Sequence, residues 1–434
     1  MSDQIIHTRR DFLQKGLTLI STAATVPCFL DRTALAIADP LGIIQGGYRP
    51  PAKDDRVLVV LQLAGGNDGL NTIIPYQNDL YYKTRPKIGI PKKDVLKVND
   101  ELGFHPQARG LKQLYDAGLL SIVQAVGYPN PNRSHFIATD IWATADPNQR
   151  TYNGWIGRYF DCTCAGTARP DPKSGIALTT EEPLAMVGER FSPVSFNKPS
   201  DLTFRGPGAK GGGRKAFDQL NTLRPSQRRR KDSHDEAGAI AFLERTAMDA
   251  RQTAKEIQSA ARTRAGRRGG RGGGSQLARQ LSMVRRMIAA DLDTRVYYVS
   301  MGGFDTHAGQ ANRHAALMNQ LGAALTQFFD ELKRDRLLDR VVLMTFSEFG
   351  RRAAENGSQG TDHGVAAPLF IAGSAIRPGI HGEHPSLDPD KLDQGDLKWN
   401  KDFRSIYTSV LTDWLKADAK KILGAKFETV DLFR

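Results

Sequence analysis

Four places in the sequence set carboxylate or imidazole side chains among glycines at the edge of an apolar run. They are Asp68 in Gly65-Gly-Asn-Asp-Gly69, Asp305 and His307 in Gly302-Gly-Phe-Asp-Thr-His307, Glu348 in Ser347-Glu-Phe-Gly-Arg351, and Asp362 with His363 in Gly360-Thr-Asp-His-Gly364. Mixed Asp, Glu and His ligands without cysteine suit zinc, manganese, iron, calcium or magnesium, and histidine favours the first three. Asp305 and His307 make a good local pair, because alternate residues of an extended chain point the same way. Any one such cluster is common in turns and at helix caps. Four of them, each beside a candidate strand, point to one site holding one or two divalent ions. Ser134 is the candidate nucleophile. It heads an expected helix, where backbone N–H groups and the helix dipole favour an oxyanion or phosphate, although most serines at helix starts do no more than cap. Arg133 beside it can clamp an anionic oxygen. His135 is a second candidate ligand or base, and His314 is a candidate for support behind His307.

These side chains need elements to bring them together. Arg56 to Leu63 is a continuous apolar run ending in glycine, the pattern of a buried parallel strand. Further strands are expected at 119–126, 294–300, 340–346 and 368–372. Helices are expected at 105–118, from Ser134 to Ala145, and at 310–335. Strands alternating with helices predict a doubly wound, mostly parallel α/β sheet. Such sheets place ligands at the carboxyl ends of their strands, so distant polar clusters converge on one rim.

Composition narrows the functional classes. The chain has 434 residues, 40% hydrophobic and 8% aromatic, enough for a real core. No apolar run reaches the roughly 20 residues of a spanning helix. Three cysteines, Cys28, Cys162 and Cys164, exclude a disulfide scaffold. The net charge of +13 is local. Residues 205–231 hold nine Lys/Arg against one acid, and 251–271 hold seven against one, which leaves the rest near neutral. Gly211-Gly-Gly213 and Arg267-Arg-Gly-Gly-Arg-Gly-Gly-Gly274 bracket an expected helix, 236–259. The stretch 201–275 therefore reads as a basic Gly/Arg-rich insertion, either a solvated linker or a polyanion contact. Without interleaved aromatics, sequence-specific nucleic-acid binding is not expected.

The amino terminus has the order of an export signal. Arg9-Arg10 precede Phe12 and Leu13, an apolar stretch runs from Leu17 to Leu30, and Ala34-Leu-Ala36 offers a cleavage site, with Ala36-Ile-Ala38 nearly as good. A twin-arginine signal over 1–36, read by the twin-arginine export machinery, is expected. A periplasmic or secreted mature chain, 37–434, follows from it.

Six segments together carry a family resemblance: Gly65-Gly-Asn-Asp-Gly69, Arg133-Ser-His-Phe136, Gly303-Phe-Asp-Thr-His307, Ser347-Glu-Phe-Gly-Arg351, Gly360-Thr-Asp-His-Gly364 and Asp402-Phe-Arg404. In this order they resemble the bacterial family called domain of unknown function 1501. That family looks distantly related to the alkaline phosphatase and sulfatase superfamily. The resemblance implies an alkaline phosphatase-like fold with two metal positions and a hydroxyl nucleophile. By position, Asp68 matches the metal-binding Asp after the first strand, and Ser134 matches the nucleophile. Asp305 with His307 match a later Asp and His, and His363 matches the final His before an apolar strand. Ser347-Glu348 stands where that pattern has an Asp-His pair, so Glu348 is the ligand available there. No Cys-x-Pro-x-Arg is present, so formylglycine chemistry is not implied.

The expectation is therefore an exported metal-dependent hydrolase of phosphate or sulfate esters. Ser134 would attack, Asp68, Asp305, His307, Glu348 and His363 would hold metal, and Arg133 and Arg351 would bind the anion. Its substrate would be a small anionic ester or an acidic polysaccharide. The alternative is a catalytically silent protein of the same fold that holds acidic polysaccharide or another surface polyanion.

Overall fold

The structure, a computed structural model, describes residues 55–163, 170–202, 252–261 and 274–434. The expected signal and the segment 205–231 lie outside the described residues, as does 251–271 apart from the helical stretch 252–261.

The strands are β1 (Val57–Leu63), β2 (Ile73–Ile74), β3 (Leu96–Lys97), β4 (Gly103–Phe104), β5 (Leu120–Gly127), β6 (Gly175–Ala177), β7 (Val194–Ser195), β8 (Val296–Met301), β9 (Val341–Phe346), β10 (Ala367–Ala372), β11 (Gly379–His381) and β12 (Lys401–Asp402). Nine of them form one sheet in the order β11-β5-β10-β9-β1-β8-β6-β7, with β12 also on β5. The covering helices are α1 (Arg109–Asp116), α2 (His135–Thr144), α3 (Trp155–Thr163), α4 (Gln276–Ala289), α5 (Gln310–Arg334) and α6 (Phe403–Ser409).

β1 explains the two-sided architecture. It pairs in parallel with β8 and with β9, so it is central and buried on both faces. Val57, Val59, Leu61 and Leu63 join the core under α1, α4 and α5. Leu58 and Val60 join the opposite core with Trp142, Trp155 and Phe403. The alternation follows from the two-residue period of a strand. Truncating a fully buried residue such as Leu61 to alanine costs about 2–5 kcal/mol. On the first face α1 and α5 approach closely through glycines: a Cβ on Gly110 would stand 2.2 Å from the Gly322 carbonyl oxygen.

β10 is the exception to the parallel pattern. It runs antiparallel to both β5 and β9. Pro368, which has no N–H to donate, falls where the β5–β10 register shifts between Ala367 and Leu369. The reversal has a positional consequence. Residues that precede β10 share a rim with residues that follow β1, β5, β8 and β9. Asp362 and His363 therefore reach the same edge as Asp68, Asp305, Glu348 and the start of α2. In a fully parallel sheet they would lie at the opposite edge.

Candidate metal centre

At that rim His135, Asp305 and His363 each offer a ligand atom within 4.8 Å of the others. His135 Nε2 lies 3.6 Å from Asp305 Oδ2, and His363 Nε2 lies 3.5 Å from Asp305 Oδ1. His307 joins them, its Nε2 2.9 Å from His363 Nε2 and 3.1 Å from Asp305 Oδ1. Behind His307, Asp362 stands 3.4 Å from Nδ1. Asp305 remains 47% exposed, so the cluster opens to solvent.

The histidines are oriented from behind. His363 Nδ1 donates to the Arg133 carbonyl oxygen at 2.7 Å, since a carbonyl can only accept. Its Nε2 therefore turns a lone pair toward the cluster. His135 Nδ1 donates to Glu348 Oε1 at 2.9 Å, which points its Nε2 lone pair the same way. Fixing one imidazole nitrogen by a carboxylate or carbonyl, and leaving the other as ligand, is the usual arrangement around a bound metal. Burial, more than any other influence, holds the His363 pKa below the usual histidine range, with Arg351, His135 and His307 adding to it. A neutral imidazole is the form that binds metal. For Asp305 burial pushes the carboxyl up, but the hydrogen bond and charge of Arg351, with His307 and His135, hold it low. The buried Phe349 ring packs 4.3 Å from His363 and 4.9 Å from His135, centre to centre, and forms an apolar wall. Three imidazole nitrogens and a carboxylate, oriented from outside, fit zinc, manganese or iron.

The expected residues divide into those at the cluster and those set back. Asp305, His307 and His363 converge. Glu348 is buried and spends Oε1 on His135 and on the Gly65 N–H at 2.7 Å, so it stands behind a ligand position. Asp68 is 1% exposed and pairs with Arg85 at 2.6 Å. Arg351 is fully buried. Its Nε donates to the Gly66 carbonyl at 2.8 Å, Nη1 to that of Thr361 at 2.8 Å, and Nη2 to Gly65, Phe304 and Asp305. Its donors are thus committed inside the protein, where they tie four rim loops together. Arg133 ion-pairs with the buried Asp396 and is otherwise exposed. Ser134 is the N-cap residue of α2, as its position predicts, but its side chain makes no capping hydrogen bond.

His135, a second candidate ligand in the sequence, stands at the cluster, with Glu348 at 2.9 Å on its far nitrogen. The signal was its position, the first helical residue after the loop that leaves β5 at the rim. A cavity of about 280 Å³ is lined by Pro131, Val365, Asp393, Leu397, Lys398 and Trp399, and by none of the cluster residues. A larger groove of about 860 Å³ runs between α1 and α5 past Arg109, Gln113 and Lys333, and touches none of the rim residues.

The model of the family described as Protein of unknown function (DUF1501) matches residues 55–398. No curated protein matches the sequence. Among solved structures, the chain is similar to the PsFucS1 sulfatase from Pseudoalteromonas sp., at 11% identity and a TM-score of 0.35, over 93% of this chain and 75% of that one. It is similar to the lipoteichoic acid synthase LtaP from Listeria monocytogenes, at 10% identity and a TM-score of 0.32, over 80% of this chain and 73% of that one. The alkaline phosphatase from the Antarctic bacterium TAB5 is similar at 10% identity and a TM-score of 0.31, over 75% of this chain and 93% of that one. At such scores no residue role passes from them to this chain.

Proposed function

We propose that this chain, which belongs to the DUF1501 family, is an exported metal-dependent hydrolase of phosphate or sulfate esters. The observation that carries the reading is the convergence of His135, Asp305 and His363, with His307 beside them, from three separate chain segments onto one open rim. Such convergence is costly to arrange by accident, because it places polar groups that need partners in one half-exposed cluster.

His135, Asp305 and His363 would hold the ion, with His307 as fourth donor. A bound divalent ion supplies Lewis acidity, which polarises an ester oxygen and favours the ionised form of an attacking hydroxyl. The chain's own residues do the rest. Glu348 and the Arg133 carbonyl fix the two imidazole planes. Arg133, which pairs through Nη2 with Asp396 and has a side chain 45% exposed, would turn its other donors to an anionic oxygen of the ester. Ser134 lies next to His135 in the chain, its hydroxyl unspent on capping, beside the unpaired N–H groups of the first turn of α2. Its oxygen would form the bond to phosphorus or sulfur while the bond to the alcohol oxygen breaks and that oxygen takes a proton; water would then release phosphate or sulfate and restore the Ser134 hydroxyl. Phe349 keeps water from one side of the cluster.

The test is Ser134→Ala with a panel of phosphomonoesters, phosphodiesters and sulfate esters. Loss of a covalent nucleophile should lower turnover about a thousandfold, roughly 4 kcal/mol of barrier. Wild-type turnover in the variant would make water the nucleophile. No hydrolysis by the wild type with any supplied divalent metal would overturn the enzyme reading. The silent polyanion-binding reading would then stand; the internal commitment of Asp68 and Arg351 is what favours it.

A further inference from the structure

The family resemblance implies two metal positions, one of them at Asp68. The surroundings of Asp68 do not fit an ion. Arg85, just past the helical turn Asp79–Thr84, sends Nη1 to Asp68 Oδ2 at 2.6 Å, and both side chains are buried. Gln310 Nε2 donates to the same oxygen. The guanidinium is itself held at every nitrogen. Nε donates to the Ala353 carbonyl at 2.9 Å, Nη2 to the Arg352 carbonyl at 3.0 Å, and Nη1 also to Asn71 Oδ1 at 2.9 Å.

Asp68 Oδ1 is buried without a hydrogen-bond partner, but the carboxylate faces one guanidinium, and among the described residues no group of three ligand side chains that could hold an ion includes it. His105, Tyr81 and His314 also feel the charge of Asp68, and of these His314 helps to lower its pKa. His314 Nε2 lies 3.3 Å from Thr72 Oγ1 and 3.4 Å from Asn67 Oδ1. A divalent ion on Asp68 would bring two more positive charges against a guanidinium that cannot swing away, inside a site with little water to screen them. Asp305 also meets a fixed guanidinium, that of Arg351, at its Oδ1, but it is placed differently: its Oδ2 faces His135, and it stands with His135 and His363 in a group whose ligand atoms lie within 4.8 Å of one another.

We propose that this chain binds one divalent ion and not two, and that the guanidinium of Arg85 is the permanent cation at the second position. The inference rests on the metal-hydrolase reading. It concerns the number of ions and not the reaction.

The experiment counts ions. Full-length protein stripped with chelator is titrated with zinc and, separately, with manganese by calorimetry, and its metal content is measured after gel filtration. One ion per chain is expected in the wild type. Asp68→Asn should still bind one, with Kd changed by no more than about twofold, as for residues that share no partner. His135→Ala should lose the ion. If Asp68→Asn does not fold, Asp68→Leu with Arg85→Met removes both buried charges together, and the same single ion is expected. Two ions in the wild type, falling to one in either Asp68 variant, would overturn this inference and leave the hydrolase reading standing. No ion of either metal in the wild type would overturn both.

Discussion

Glu348→Gln separates a side chain that supports a ligand from one that is a ligand. The glutamine carbonyl can keep both contacts of Oε1, the 2.9 Å bond from His135 Nδ1 and the 2.7 Å bond from the Gly65 N–H. What it loses is the negative charge that makes the His135 bond strong and its Nε2 a better donor. Removing such an outer partner costs about 10–100-fold in metal affinity, or about 1.4–2.8 kcal/mol. Fold stability without metal should change little, because no buried donor is orphaned. Glu348→Ala is the contrasting variant. It also strips the Gly65 N–H of its partner, which should cost about 1–3 kcal/mol of stability. The assay is competition with a chelating dye for Kd, alongside urea unfolding of metal-free protein. If Glu348→Gln abolishes binding as fully as His135→Ala, Glu348 is itself a ligand and the orientation argument fails. An unchanged Kd would refute it from the other side.

Other perturbations test other parts of the structure. Arg351→Ala should destabilise the metal-free protein by about 3 kcal/mol, because it orphans buried carbonyls of Gly65, Gly66, Phe304 and Thr361; a raised KM with an unchanged melting temperature would instead make it a substrate-binding residue. His314 is buried and neutral, its pKa pushed down to about 4 by burial. The unfolded chain therefore binds a proton between about pH 6.5 and 4 that the folded chain refuses, so this stability is present above pH 6.5 and lost as pH falls, by about 3 kcal/mol in all. Urea unfolding of chelator-treated His314→Gln should show a shallower loss between pH 7 and 5 than wild type, and an identical slope would refute the assignment. Arg9→Lys with Arg10→Lys should leave unprocessed precursor in the cytoplasm, read by fractionation; normal processing would remove the export proposal.

Much of this rim was legible in the sequence, and the reasons are physical. β1, β5, β8 and β9 are buried on both faces, so they read as continuous apolar runs, and the polar residues beyond them had to lie at one edge. Direction was not legible. β10 looks the same whichever way it runs, and its reversal is what delivers His363 to the cluster. Partner choice was not legible either. A carboxylate after a strand can take an ion or an arginine, and nothing local to Asp68 announces that Arg85, seventeen residues on, will be clamped against it. The same limit applies at the head of α2, where Ser134 and His135 are adjacent. Neighbouring positions on a helix point in different directions, so only one of the two can turn fully into the cluster, and the structure turns His135. Ser134 then reaches an ester only if the substrate lies across the helix start, between Arg133 and the imidazoles. That placement makes Arg133 a companion of Ser134 rather than of the metal. Arg133→Met keeps the backbone carbonyl that holds His363, so it should raise KM for anionic esters while leaving the ion count and metal Kd unchanged, and an unchanged KM would refute that placement.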